Sequence, residues 1–135
     1  MSGERYPVLW IGQVSVVTLP AEIDVTNADA TRDELLAVLS QGATLLVADM
    51  SKTVFCDSSG VSALVRVFRH AAISGATIRL VVSTPAVQRV LSITGVDRLV
   101  DVYPSVAASL AGPNGQADPA WPDGATAKAD TDGGA

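Results

Sequence analysis

The sequence predicts an α/β layer fold: a mixed, mostly parallel sheet of about five strands with about four helices. Two observations carry that expectation. Short continuous apolar runs, Thr44–Ala48 and Thr77–Val82, alternate with amphipathic stretches that end at glycines, which is how strands covered on both faces and crossover helices read. The 135 residues are 48% apolar but only 4% aromatic, so one domain is expected, with a core of Val, Leu, Ile and Ala.

The elements follow in order. Val8–Ile11 and Val14–Leu19 are β-prone runs around Gly12-Gln13, a pair suited to a two-residue hairpin turn. Pro20-Ala21-Glu22-Ile23-Asp24 breaks the chain. Thr26 followed by Asp29 resembles a capping box with a short acid, and Ala28, Thr31, Leu35 and Leu39 continue as a helical stripe that Gly42 stops. After the strand at Thr44–Ala48, Ser51–Ser59 reads as a polar loop ending in Asp57-Ser58-Ser59-Gly60. A second helix puts Val61, Leu64, Val65, Phe68 and Ala72 on one face and ends at Gly75. Thr77–Val82 is the next strand. Thr84 at the N-cap and Pro85 in the first turn open a third helix, with Val87, Val90, Leu91 and Thr94 facing inward and Gly95 as its stop. Leu99–Val102 forms a short last strand and Pro104–Leu110 a last helix. The order is ββαβαβαβα, with right-handed crossovers expected.

The folded domain is expected to span residues 1–111. Residues 112–135 hold 5 of the 11 glycines and 3 of the 7 prolines, with Trp121 the lone bulky side chain. Such a composition cannot offset its ordering entropy, so a disordered tail is expected. Its four aspartates (118, 123, 130 and 132) against Lys128 leave the body near neutral although the whole chain carries a net charge of −5.

Several function classes drop out. The acidic balance argues against a phosphate-gripping nucleic-acid surface. One Cys and one His exclude a disulfide framework and a Cys/His metal cluster within the chain. No apolar run approaches the ~18 residues of a membrane span. Met1-Ser2-Gly3-Glu4-Arg5 lacks the basic-then-apolar order of a signal peptide, so a cytoplasmic protein without a membrane partner is expected.

One junction carries a chemical signature. Phe55-Cys56-Asp57-Ser58-Ser59-Gly60 lies between a buried strand and an amphipathic helix, where parallel sheets place their sites. Asp57 or Ser58 falls near the N-cap, and helix capping alone accounts for both residue types. Nucleophilic catalysis does not fit. The segment is not Gly-x-Ser-x-Gly, and His70 lies more than ten residues along the same helix, an axial distance of at least about 15 Å. The Gly-Lys of a P-loop is also missing. A serine without its own base can still be modified by another enzyme.

In order along residues 6–110, Ala21-Glu22-Ile23-Asp24, Leu46-Val47-Ala48-Asp49, Asp57-Ser58-Ser59-Gly60 and Ser83-Thr84-Pro85-Ala86-Val87-Gln88-Arg89-Val90-Leu91 with Gly95 resemble the motifs of STAS domains, specifically bacterial anti-sigma factor antagonists. The resemblance implies a STAS fold, no catalytic residue, no cofactor and no metal. It makes Ser58 the phosphoacceptor. It also places Asp24, Asp57, Ser59, Gly60 and Ser62 on a partner-binding surface for an anti-sigma factor that is itself a serine kinase. A PP2C-type phosphatase would reset the switch. Pro20-Ala21 stands where the family commonly has a glycine before the Glu, a departure that bears on partner choice. The alternatives are a non-switching STAS module that binds a nucleotide or lipid, an adaptor in a transport or signalling complex, and a member no longer phosphorylated. Beside the switch, Cys56 reads as a buried small residue or a redox-sensitive thiol. Arg66, Arg69 and His70 read as a solvated helix face or a docking rim. Trp10 reads as an edge residue of the sheet, and Ser59 as a capping hydroxyl.

Overall fold

A computed structural model describes residues 6–111. Its elements are β1 (Val8–Ile11), β2 (Val14–Thr18), β3 (Glu22–Ile23), α1 (Ala28–Ser40), β4 (Leu45–Met50), β5 (Phe55–Cys56), α2 (Ser58–Ser74), β6 (Thr77–Val82), α3 (Pro85–Thr94), a 3-10 turn (Val96–Arg98), β7 (Asp101–Tyr103) and α4 (Val106–Leu110). The expected tail and Trp121 lie outside the described residues.

Five strands form one sheet in the order β1-β2-β4-β6-β7. β1 and β2 pair antiparallel across Gly12, whose φ of 61° belongs to a type II′ turn. The other neighbours are parallel. The mixed, mostly parallel sheet and the four helices are therefore as expected. The register sets Val17, Ala48 and Leu80 side by side on one face; on the other, Val16 pairs with Val47, and Val81 shares that face two residues beyond Arg79, the β6 partner of Val47. α1, α2 and α3 cover the first face, where Leu35, Leu64, Val67, Val87 and Leu91 pack against Leu46, Met50 and Val82. α4 covers part of the second through Leu110 and Val106. There the guanidinium of Arg79, itself buried, donates to the Ser109 carbonyl at 2.6 Å and lies over the Tyr103 ring.

Four local expectations are corrected. The Thr26–Asp29 capping box does not form, because α1 starts at Ala28 with Asn27 as N-cap and the Thr26 hydroxyl is spent on Asp24. The buried face of α2 runs through Gly60, Val61, Ala63, Leu64, Val67, Phe68 and Ala71; Val65 is half-buried and Ala72 exposed. On α3, Thr94 points out and its hydroxyl donates to the Val90 carbonyl at 2.7 Å. The last strand begins at Asp101, because residues 96–98 form a turn whose following residue, Leu99, is exposed.

The segment expected as an unbroken polar loop contains β5. It pairs in parallel with β3, Glu22 opposite Phe55 and Ile23 opposite Cys56, as a second, two-stranded sheet. This small sheet brings the two motif-bearing loops together.

Candidate functional site

The site is built where β5 hands over to α2. The backbone N–H groups of Val54 and Phe55 both donate to the Ala21 carbonyl, at 2.8 and 3.3 Å, and that of Asp57 donates to the Ile23 carbonyl at 3.1 Å. Thr53 locks the preceding loop. Its hydroxyl donates to the Pro20 carbonyl at 2.8 Å, and its own carbonyl accepts from the Thr84 hydroxyl at 2.9 Å. Asp24 and Asp57, 33 positions apart in sequence, therefore leave adjacent strands in the same direction.

Asp57, not Ser58, is the N-cap of α2. One carboxylate oxygen accepts from the Ser59 amide at 2.9 Å and from the Gly60 amide at 3.1 Å. Those are two of the amides a helix N-terminus leaves without partners. Ser58 is then the first residue of the helix. It is exposed, and among the described residues its hydroxyl has no hydrogen-bond partner.

Gly60 sets the height of this corner. A Cβ built there would lie 2.7 Å from Cys56 Sγ, 2.8 Å from Ile23 Cγ2 and 3.1 Å from the Ile23 carbonyl oxygen. Its φ is not in the left-handed region, so the glycine is required by close approach rather than by backbone conformation. With any side chain there, the first turn of α2 could not rest on the β3–β5 sheet.

Asp24 is half-buried and fixed by its own turn. One carboxylate oxygen accepts from the Thr26 amide at 2.9 Å and from the Thr26 hydroxyl. The hydroxyl bond foremost, and then the amide, hold its pKa below the ordinary carboxylate value. Asn27 completes the turn: its side-chain oxygen accepts from the Asp24 amide at 2.9 Å and its side-chain amide donates to the Glu22 carbonyl at 2.8 Å.

The predicted residues are therefore gathered at one corner. Ser58 and Ser62 are exposed one turn apart on α2, Ser59 is half-buried, Gly60 is buried, and the two aspartates flank them. Cys56 is a core residue. Burial first, and the charge of Asp57 second, push its thiol up to about 11, the opposite of a sensor thiol. Arg66, Arg69 and His70 are exposed on α2, and Trp10 lies on the edge strand β1. Sequence reasoning missed Thr26 and Asn27, which shape the Asp24 loop. It also missed the exposed apolar residues Val25, Val54 and Phe55 on the two motif-bearing loops. An aliphatic residue beside Asp24 and an aromatic two before Asp57 were the only available signal. Among the described residues no group of His, Cys, Asp and Glu is placed to hold a metal, and no helix is long and apolar enough to cross a membrane.

Residues 8–109 match the family model of the STAS domain. The chain belongs to the STAS domain family. This STAS domain is 28% identical over 86 residues to the anti-sigma-B factor antagonist of Bacillus subtilis (strain 168), an alignment covering 64% of this chain and 78% of that one. Among solved structures, an anti-sigma factor antagonist from Mycobacterium paratuberculosis is 28% identical with a TM-score of 0.71, covering 78% of this chain and 89% of that one. The anti-sigma factor antagonist SpoIIAA in its unphosphorylated form shares the fold at 19% identity and a TM-score of 0.67, over 78% of this chain and 93% of that one.

Proposed function

We propose that this STAS domain is an anti-sigma factor antagonist, and that phosphorylation of Ser58 by the anti-sigma factor, a serine kinase, ends their contact. The observation that carries the reading is the state of Ser58: exposed, first in its helix, and outside the hydrogen bonds that hold the corner together. The relatives named as anti-sigma factor antagonists, one of Bacillus subtilis and one of Mycobacterium paratuberculosis, support it.

In this reading the unmodified domain holds the anti-sigma factor and so frees a sigma factor. The kinase then transfers the γ-phosphoryl group of ATP to Ser58 Oγ. The new O–P bond forms as the bridge to the β-phosphate breaks, ADP leaves, and the hydroxyl proton passes to a base of the kinase. His70, the single histidine, lies twelve positions along α2, about 18 Å in axial rise, too far to take that proton. A PP2C-type phosphatase restores the hydroxyl by hydrolysis.

The phosphate brings about −1.5 to −2 charges next to Asp57 and near Asp24. A packed interface cannot accommodate that at small cost, because like charges brought together there cost several kcal/mol. About 4 kcal/mol corresponds to roughly a thousandfold in affinity.

The test compares wild type, Ser58→Ala and Ser58→Asp for binding to the anti-sigma serine kinase of the same genome. Ser58→Ala should bind like wild type. It should also not gain the phosphate mass of about 80 Da that wild type gains with ATP. Ser58→Asp should bind far more weakly. Equal binding by Ser58→Asp refutes the charge switch, whereas binding without any phosphate gain leaves a non-switching adaptor.

A further inference from the structure

The switch uses one corner of α2 and leaves the rest of its exposed side unexplained. That side carries Arg66, Arg69 and His70, and α2 has no acidic residue anywhere along its 17 residues. On neighbouring α1, Arg32 is matched by Asp29 at 3.3 Å and Asp33 at 3.0 Å. Arg66 has no ion pair among the described residues.

Between the two helices opens a groove of about 310 Å³. Ala28 and Ala63 line it, and Val25 stands at its edge with 74% of its surface exposed. Asp29 lines it too but is paired with Arg32, so the unmatched positive charge in the groove is that of Arg66. Ser59 and Ser62 line it as well, so it is continuous with the Ser58 corner. Arg66 follows Ser62 by one turn, and helix side chains lean toward the N-terminus, so its guanidinium is carried toward Ser62.

The chemistry narrows what can sit there. The free amides that would cradle a phosphate at the start of α2 are already occupied, because Asp57 accepts from both Ser59 and Gly60. One uncommitted guanidinium beside small and aliphatic side chains suits a single carboxylate carried next to an apolar residue. The volume accommodates one or two projecting side chains.

We propose that the α1–α2 groove seats an acidic segment of the anti-sigma factor, with an apolar side chain on Val25 and the alanines and a carboxylate on Arg66. This rests on the reading of the domain as an anti-sigma factor antagonist, and it separates partner choice, set by the groove, from the on/off state, set by Ser58. Charge complementarity of this kind mostly sets encounter rate and specificity.

The experiment measures binding of the recombinant anti-sigma serine kinase to the full chain as wild type, Arg66→Gln, Arg66→Glu, Ser58→Asp and Arg98→Glu. The last is a control on the turn before β7, at the opposite end of the sheet. Arg66→Glu should weaken binding about tenfold or more and slow association. Arg66→Gln should flatten the salt dependence, and Arg98→Glu should bind as wild type. Reversing the kinase's Asp and Glu residues one at a time should identify one reversal that restores binding to Arg66→Glu. Wild-type affinity in Arg66→Glu, with binding lost in Ser58→Asp, overturns the groove and leaves the switch standing. Weakening by Arg66→Glu with Ser58→Asp unaffected keeps the groove and removes the switch. A wild-type chain that binds no anti-sigma kinase removes both.

Discussion

Replacing Gly60 by alanine sets two known effects against each other. Alanine in place of glycine inside a helix ordinarily gains up to about 1 kcal/mol. At this position the new methyl group would meet Cys56 Sγ at 2.7 Å, Ile23 Cγ2 at 2.8 Å and the Ile23 carbonyl oxygen at 3.1 Å. None of the three can yield cheaply. The carbonyl is backbone, Ile23 is β-branched and fully buried, and Cys56 is short and held in β5. Overpacking of this kind costs about 1–3 kcal/mol, so the clash should win and leave Gly60→Ala about 1–2 kcal/mol less stable. For a domain of this size that is a fall in Tm of about 4 °C per kcal/mol. Urea unfolding of Gly60→Ala, Cys56→Ala and the double variant measures it. The double variant should be more stable than the sum of the two single effects predicts, because Cys56→Ala removes the nearest obstacle. Phosphorylation of Ser58 by the cognate kinase should slow in Gly60→Ala as the first turn of α2 lifts. If Gly60→Ala proves as stable as wild type, close approach to the β3–β5 sheet is not what requires the glycine, and the account of this corner is wrong.

Other outcomes follow from the same geometry. Asp57→Ala should cost about 0.5–2 kcal/mol in urea unfolding by orphaning the Ser59 and Gly60 amides, while Asp57→Asn, also a good cap, should cost less. Asp24 titrates below its ordinary value of 3.8, so its turn adds stability that is present above that value and lost as the pH falls through the lower folded-state value. Thr26→Val should therefore reduce the acid-side loss, read by unfolding between pH 5 and the acid limit. The Cys56 thiol, raised to about 11, should react slowly with iodoacetamide in the native protein at pH 7 and quickly in denaturant. A raised folded-state value also means that stability should fall as the pH climbs from about 9 toward 11. Ser58→Asp should change stability by no more than about 0.5 kcal/mol, because the helix N-terminus attracts the new charge while Asp57 repels it.

The main sheet was legible because most of its strands are continuous apolar runs and the helices between them end at glycines, both properties of several neighbouring residues. The β3–β5 sheet was not, because two-residue strands carry no periodicity and their pairing spans more than thirty positions. The face of α2 was misjudged for a related reason. Bulk was read as burial, yet Gly60, Ala63 and Ala71 are buried because α2 packs against the β3–β5 sheet and α1, and small residues give little hydropathy signal. Thr26 looked like a cap by its type. Which of Thr26 and Asn27 stands at the helix boundary is decided by the Asp24 turn, which no local pattern encodes.

The Asp-Ser-Ser-Gly corner shows the same division between local and distant causes. Asp57 and Ser58 both satisfy the residue preferences of an N-cap, so composition leaves two registers open. The Asp57 amide closes one of them by donating to Ile23 in the neighbouring strand, which makes Asp57 the last extended residue and its carboxylate the cap. Ser58 is thereby released from every structural duty at the corner. A hydroxyl used as the cap could be esterified only by breaking the start of α2, and the signal would then be unfolding. With Asp57 capping, the proposed modification at Ser58 would leave the start of α2 intact and change only what a partner meets. That separation would make rapid resetting by hydrolysis physically possible, since neither state would have to refold before being recognised.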